Sequence, residues 1–291
     1  MNTYVFKSLS IIFIFFLPCQ HVICAQSIPY EAMEDIRHRI SQCEQYHPSP
    51  MKGKYQNTDK PNFDGPINPD TWFIPTHRSS QTTDRIMFIL KEPWGDGGVD
   101  WPDILLKRNN MYDFIDDGGQ STYKPMVILA NMIGTHSAYN DIINQLYSAN
   151  VYTVFKESCG IMEVNKFSGD KSSDDAVITD YAKKNLDLLS EQIQVYNPNI
   201  IIIGIGKNAS NILIHEDNMT GTYKIFGETV VADKRNLQYP QSEHYCSYAT
   251  DNRIYIVTYH PSYTENYRPY DTEKYCNAIY EAVKMWKLQH K

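Results

Sequence analysis

Two stretches of the chain are apolar without interruption, Ile86 to Leu90 and Ile200 to Ile203. A run with no polar face reads as a strand buried on both sides, as in a parallel sheet. Residues 151–155, 160–164 and 254–259 are strand-like as well. Elsewhere the apolar positions recur at spacings of three and four. Met33, Ile36, Ile40 and Cys43 predict a helix over residues 31–46. Pro125 suits the first turn of a helix that reaches about residue 147, with Gly134 as its weak point. Asp174 is placed to cap a helix that carries Val177, Ile178, Tyr181, Leu186, Leu189, Ile193 and Tyr196 at helical spacing. Asn197-Pro198 ends it, and residues 272–288 form the last helix. Strands 86–90, 160–164, 200–203 and 254–259 are separated mostly by helices. That order predicts an α/β fold of three αβα layers around a central, mainly parallel four-stranded sheet.

Residues 217–253 read as an insertion with a β-ribbon. Prolines at 48, 50, 61, 66, 69 and 75 make residues 47–84 a long irregular arm, which Trp72 and Phe73 are suited to pin to the body. At the start, Lys7 precedes an apolar run over residues 11–17, and Ala25 follows a short polar stretch. This is the pattern of a secretory signal peptide cleaved after Ala25, and it is too short to span a bilayer. A true start at Met33 is the other reading. The expected organisation is a leader over residues 1–25, an N-terminal helix and arm over 26–84, and one α/β domain over 85–291.

With 291 residues, of which 42% are hydrophobic, the chain has enough material for one large core. Its formal charge of −7 means that any basic face for nucleic acid must be local. Nothing in the pattern points to stable membrane association. Of the six cysteines, Cys19 and Cys24 fall in the leader. Cys43, Cys159, Cys246 and Cys276 are scattered, with no Cys-x-x-Cys, so neither zinc nor an iron–sulfur cluster is indicated. Export would permit disulfides, and their pairing stays open.

Chemistry gathers at two strand ends. Ile86 to Leu90 runs straight into Lys91-Glu92-Pro93-Trp94, and glycines at 95, 97 and 98 follow as a mobile lip. An α/β sheet presents ligands with the carboxyl ends of its strands, so Glu92 is aimed at a cleft with an indole beside it. A strand ending in a turn with a solvated glutamate is the plainer alternative. The strand at 254–259 ends in His260-Pro261-Ser262. The same triplet at His47-Pro48-Ser49 has no strand before it, so the strand is what gives the second copy meaning. Gly204-Ile205-Gly206 begins like a dinucleotide loop, but Ala209 stands where a third glycine belongs, and a tight turn is the better reading. No cofactor is expected.

Taken together, these residues resemble the uracil-DNA glycosylase superfamily, over roughly residue 85 to the C-terminus. Lys91-Glu92-Pro93-Trp94 stands where the family has its first motif, at the first strand tip. Residues 258–263, TYHPSY, match the second. Residues 198–209, from Pro198 through the isoleucine strand to Gly204 and Ala209, fit the stretch between them. The resemblance implies an enzyme that hydrolyses the N-glycosidic bond of uracil or another damaged base in DNA. Single-stranded or damaged DNA would be its partner, and it would act as a monomer without metal. Glu92 and His260 would be catalytic. Trp94 would line the pocket, Ser262 and Lys166 would meet phosphates, and Tyr263 would be the wedge. Glu163 falls where the family places an asparagine that reads the base, and an ionised glutamate only accepts hydrogen bonds. Asn165, two residues on, is the substitute reader on the same face. A catalytically idle nucleotide-binding member and an exported nucleoside-type hydrolase are the alternative readings. The leader suggests export and the resemblance suggests the cytoplasm.

Overall fold

The computed structural model describes residues 20–47, 49, 53, 55–93, 95–114, 119–169, 174–206, 210, 213–217, 222–232, 246–263 and 272–290, without the side chains of 20–29, 217, 231 and 232. In chain order the strands are β1 (Gly65–Pro66), β2 (Ile86–Leu90), β3 (Cys159–Glu163), β4 (Ile200–Ile203), β5 (Ile214–Asp217), β6 (Thr222–Ile225), β7 (Glu228–Ala232), β8 (Cys246–Ala249) and β9 (Ile254–Val257). The helices used below are α1 (Gln20–Ser41), α2 (Pro69–Phe73), α4 (Gln120–Thr135), α5 (Tyr139–Ile143), α6 (Ala149–Ser158), α7 (Asp175–Lys184), α8 (Leu186–Tyr196) and α9 (Thr272–Gln289), with the short α3 (Trp101–Lys107) after β2.

The four expected strands are present and run parallel, in the order β3-β2-β4-β9. The sheet is larger and more mixed than expected. It has nine strands in the order β1-β3-β2-β4-β9-β8-β7-β6-β5, and every pairing outside the central four is antiparallel. The arm supplies β1, the insertion supplies β6 to β8, and β5 lies almost wholly ahead of the insertion. Two-residue β1 is invisible to periodicity, which needs a longer run to register.

Alternation along the central strands divides the core. Ile86, Phe88, Leu90, Ile161, Ile200, Ile202, Ile254 and Ile256 pack against α4, α6 and α9. Met87, Ile89, Met162, Ile201, Ile203, Tyr255 and Val257 pack against α1, α7 and α8. Both faces are covered, which is why the strands read as unbroken apolar runs. Trp72 is fully buried, its indole N–H donating to Tyr196 O at 2.8 Å, so α2 pins the arm as expected.

Three local expectations are corrected. Residues 151–155 are helix, not strand: Ser148 caps α6 through Val151 N, and Val151, Tyr152, Val154, Phe155 and Ser158 form its buried face. Five residues rich in valine and aromatics do not separate the two periods. Pro125 lies well inside α4 rather than in its first turn, and that helix ends at left-handed His136 (φ 57°), ahead of the separate α5. Gly134 is no break; a Cβ there would meet Thr82 and Val154 at 3.2 Å. Asp174 does cap α7, and the predicted single helix is divided at Asn185 into α7 and α8. Cys43 and Cys159 are free thiols. No described helix is long and apolar enough to cross a membrane. The expected leader lies mostly outside the described residues.

Candidate active site

β2 and β3 are neighbours in register, with Leu90 opposite Glu163. The chain leaving β2 passes to α4 and α6 on one face, and the chain leaving β3 passes to α7 and α8 on the other. In the order β3-β2-β4-β9 the strand sequence reverses at β2, so the crevice opens between β2 and β4, outside the carboxyl ends of the strands. Beyond β3 the chain keeps hold of the segment leaving β2. Val164 N donates to Leu90 O (3.0 Å), Asn165 N to Lys91 O (2.9 Å) and Gly169 N to Pro93 O (2.9 Å). Residues 164–169 are thereby strapped along Lys91-Glu92-Pro93.

Glu92 is half-buried against this strap. Asn165 Nδ2 donates to Glu92 Oε2 at 3.0 Å. Asn165 Oδ1 accepts from Phe167 N at 3.0 Å, which settles which end of the amide faces the carboxyl. Asn165 therefore holds Glu92 with one of its two amide hydrogens. Gly169 lies flat under the same carboxyl: a Cβ at this position would stand 1.8 Å from Glu92 Cδ. Gly169→Ala should push the Glu92 carboxyl out of reach of Asn165 at a stability cost of about 1–3 kcal/mol, the usual range for overpacking. A crystal structure of the variant checks this, and an intact Glu92–Asn165 contact would refute it.

Lys166 sits beneath, fully buried and ion-paired to Asp64, itself 2% exposed. Lys166 Nζ also donates to Glu163 O (2.6 Å) and Gln192 Oε1 (3.0 Å). Asp64 accepts from Glu163 N (2.7 Å) and from Gln192 Nε2 (2.7 Å). An ammonium enclosed this way is not offered to a phosphate, which corrects the expected DNA contact at Lys166. Glu163 is 5% exposed, and its Oε2 is buried with no hydrogen-bond partner among the described residues. Burial, then the nearby Asp64 and Glu92 carboxylates, push its carboxyl well above the usual range, against the pull of Lys166. Glu163 therefore gives up its proton less readily than an exposed glutamate does. In its protonated form this carboxyl both donates and accepts, a capacity the ionised form lacks.

His260 stands at the same edge. Thr258 N donates to Ile203 O (2.9 Å), carrying β9 to the tip of β4, and Gly204 N donates to Ile89 O (2.8 Å), tying β4 to β2. A Cβ on Gly204 would meet Pro261 Cδ at 3.2 Å and Ile89 O at 3.5 Å, so the small residue lets the His260-Pro261-Ser262 turn settle beside the tip of β2. Burial, aided by the Lys91 ammonium, pushes the His260 imidazole down to about 4. Ser262 N lies 3.3 Å from His260 Nδ1, and Ser262 Oγ lies 2.7 Å from it. A backbone amide can only donate, so Nδ1 accepts and the ring proton sits on Nε2. Tyr263 is 41% exposed and stacks on Tyr259 with ring centroids 5.7 Å apart. Trp94 lies outside the described residues.

The glycine lip is held by the arm rather than loose. Gly97 N donates to Gln56 O (3.0 Å), Gly98 N to Lys60 O (3.3 Å), and Val99 N to Asn62 Oδ1 (2.8 Å). A Cβ on Gly97 would fall 1.9 Å from Asn57 O, so this clasp requires glycine. Asp64, Gln192, Asn62 and Gly169 all shape the site; Gln192 is a polar residue on the buried face of α8, beside Leu188, Leu189, Ile193 and Tyr196, which is a signal the sequence carried, and the other three belong to no motif or periodic face. Among the described residues no cluster of three or more His, Cys, Asp or Glu could hold a metal ion.

Comparison with known families gives one match: residues 111–284, more than half the chain, fit the model of the Uracil DNA glycosylase superfamily. The matched segment takes in β3, β4, β9 and His260 and begins after Glu92. No curated protein matches the chain.

Proposed function

The chain belongs to the uracil DNA glycosylase superfamily, and from that premise we propose that it is a DNA glycosylase hydrolysing the N-glycosidic bond of uracil or another damaged base. The observation that carries this reading is the pairing at one sheet edge of Glu92, just beyond β2, with His260, just beyond β9. Only β4 lies between those strands. Two strand spacings amount to about 10 Å, room for a nucleoside between carboxylate and imidazole.

Breaking the bond builds positive charge on the sugar and negative charge on the departing base. Glu92, oriented by Asn165, stabilises the first and takes the proton of the attacking water. His260, neutral and carrying its proton on Nε2, gives a hydrogen bond to the base as negative charge grows there. Ser262 holds the ring in that tautomer. A base inside a duplex must leave the stack to reach the edge, and exposed Tyr263 is the side chain placed to fill the gap. Trp94 is the proposed pocket wall.

The test is base release from oligonucleotides carrying uracil, hypoxanthine or an alkylated base. Release of none of them would overturn the proposal. His260→Ala should slow release roughly 10²–10³-fold, as removal of one donor aimed at developing charge does. The imidazole carries a pH signature as well. Its folded value of about 4 lies below the unfolded 6.5, so the unfolded chain binds the proton more readily between them. The stability this group contributes is complete above that window and falls as pH drops through it. Nitrogen-15 NMR of labelled His260 should show a neutral ring with an Nε2 proton at pH 6; an imidazolium there would contradict the assignment.

A further inference from the structure

Glu92 stands on the link between β2 and the glycine lip. The strap over residues 164–169 holds that link directly, through Asn165 N to Lys91 O (2.9 Å), Gly169 N to Pro93 O (2.9 Å) and Asn165 Nδ2 to Glu92 Oε2 (3.0 Å). The lip carries the chain onward to Asp100, which caps α3. Between strap and lip lies the arm. On one side β1 pairs with β3 through Gly65 and Pro66. On the other, Phe63 N donates to Val99 O (2.8 Å) and Trp101 N to Phe63 O (3.1 Å).

Asn62 joins the two sides. It is 1% exposed. Its backbone N and its Nδ2 both donate to Lys166 O, at 2.7 and 3.3 Å. Its Oδ1 accepts from Val99 N at 2.8 Å. One buried amide thus reaches from the residue after Asn165 to the end of the lip, and it closes a ring of contacts around Glu92. Asn62 lies outside the family-matched residues 111–284.

We propose that Asn62 is a positioning residue for Glu92: it fixes the strap against the lip and so keeps Asn165 where it aims the carboxylate. This rests on the glycosylase reading above, in which Glu92 acts on water and sugar. It makes the arm a part of the active site rather than a tether. Removing the Asn62 amide leaves the backbone bonds of the arm in place but frees the Val99 N–H. A donor left without its partner draws in water or shifts to find another acceptor. The lip then moves relative to the strap, and Glu92 moves with it. A reacting group misplaced by about 1 Å can lose about 10²-fold in rate.

Asn62→Ala should lower the single-turnover rate of base release roughly 10²-fold, with affinity for the oligonucleotide little changed. The Asn165 side-chain amide reports the geometry itself. In protein labelled with nitrogen-15 asparagine, its signal is the one lost in Asn165→Ser, and it should move in Asn62→Ala. Val283→Ala is the control: it opens a cavity where α9 packs on α4 and weakens the fold without touching strap or lip. Its rate and its Asn165 signal should stay at wild-type values. If Asn62→Ala does not fold, Asn62→Asp takes its place. Aspartate keeps an oxygen for Val99 N and loses the Nδ2 donor, so it should also slow release and move the signal. A folded Asn62 variant with the wild-type rate, or with the Asn165 signal unmoved, overturns the proposal. Equal slowing by Val283→Ala overturns it too, since lost stability would then account for the effect. Wild type that releases no base overturns the glycosylase reading alone, and the Asn165 signal then still decides whether Asn62 holds Glu92 in place.

Discussion

Glu92→Gln should lower the rate of base release by roughly 10²–10⁴-fold, the usual contribution of a positioned acid or base. Glutamine keeps the size of the side chain and an oxygen to accept from Asn165, so the strap over residues 164–169 should stay in place. What is lost is the negative charge facing the sugar and the site that takes the proton of water. The effect belongs in the chemical step: single-turnover rates should fall while affinity for oligonucleotides changes little. A variant that retains wild-type single-turnover rates would remove Glu92 from the mechanism. Because the family match begins downstream of Glu92, this is also the most informative substitution for the activity as a whole.

The largest effect on stability is expected at Lys166, where Lys166→Ala should cost about 3–5 kcal/mol by leaving the Asp64 carboxylate buried without its counter-charge. Urea unfolding measures it. A loss below about 1 kcal/mol, as exposed ion pairs give, would show that Lys166 is solvated after all. Removing the charge at Asp64 as well should recover much of the loss. Asp64→Asn is the right partner change, because it leaves an oxygen to accept from Glu163 N, whereas leucine would strand both that amide and Gln192 Nε2. The steepness with which salt weakens DNA binding should be unchanged in the folded fraction of Lys166→Ala, since no phosphate contact is lost.

The four parallel strands and the place of their tips were legible in the sequence for one reason. A strand covered on both faces must be apolar throughout, so Ile86–Leu90 and Ile200–Ile203 announce themselves, and whatever follows such a run stands at the carboxyl edge. That rule put Glu92 and His260 forward as candidates, together with the resemblance of the motifs around them. The polar residues between the strand tips and the arm follow no such rule. Lys166 reads the same whether it faces a phosphate or a carboxylate, and its partners Asp64 and Gln192 lie 102 and 26 residues away. Asn165 and Glu163 were read as reaching for a substrate; the fold turns one toward Glu92 and encloses the other. Periodicity reports which side of an element is buried. Which polar groups share that burial, and hence which are charged, is decided only when distant segments close around them, because the cost of an unpaired charge depends on every neighbour at once.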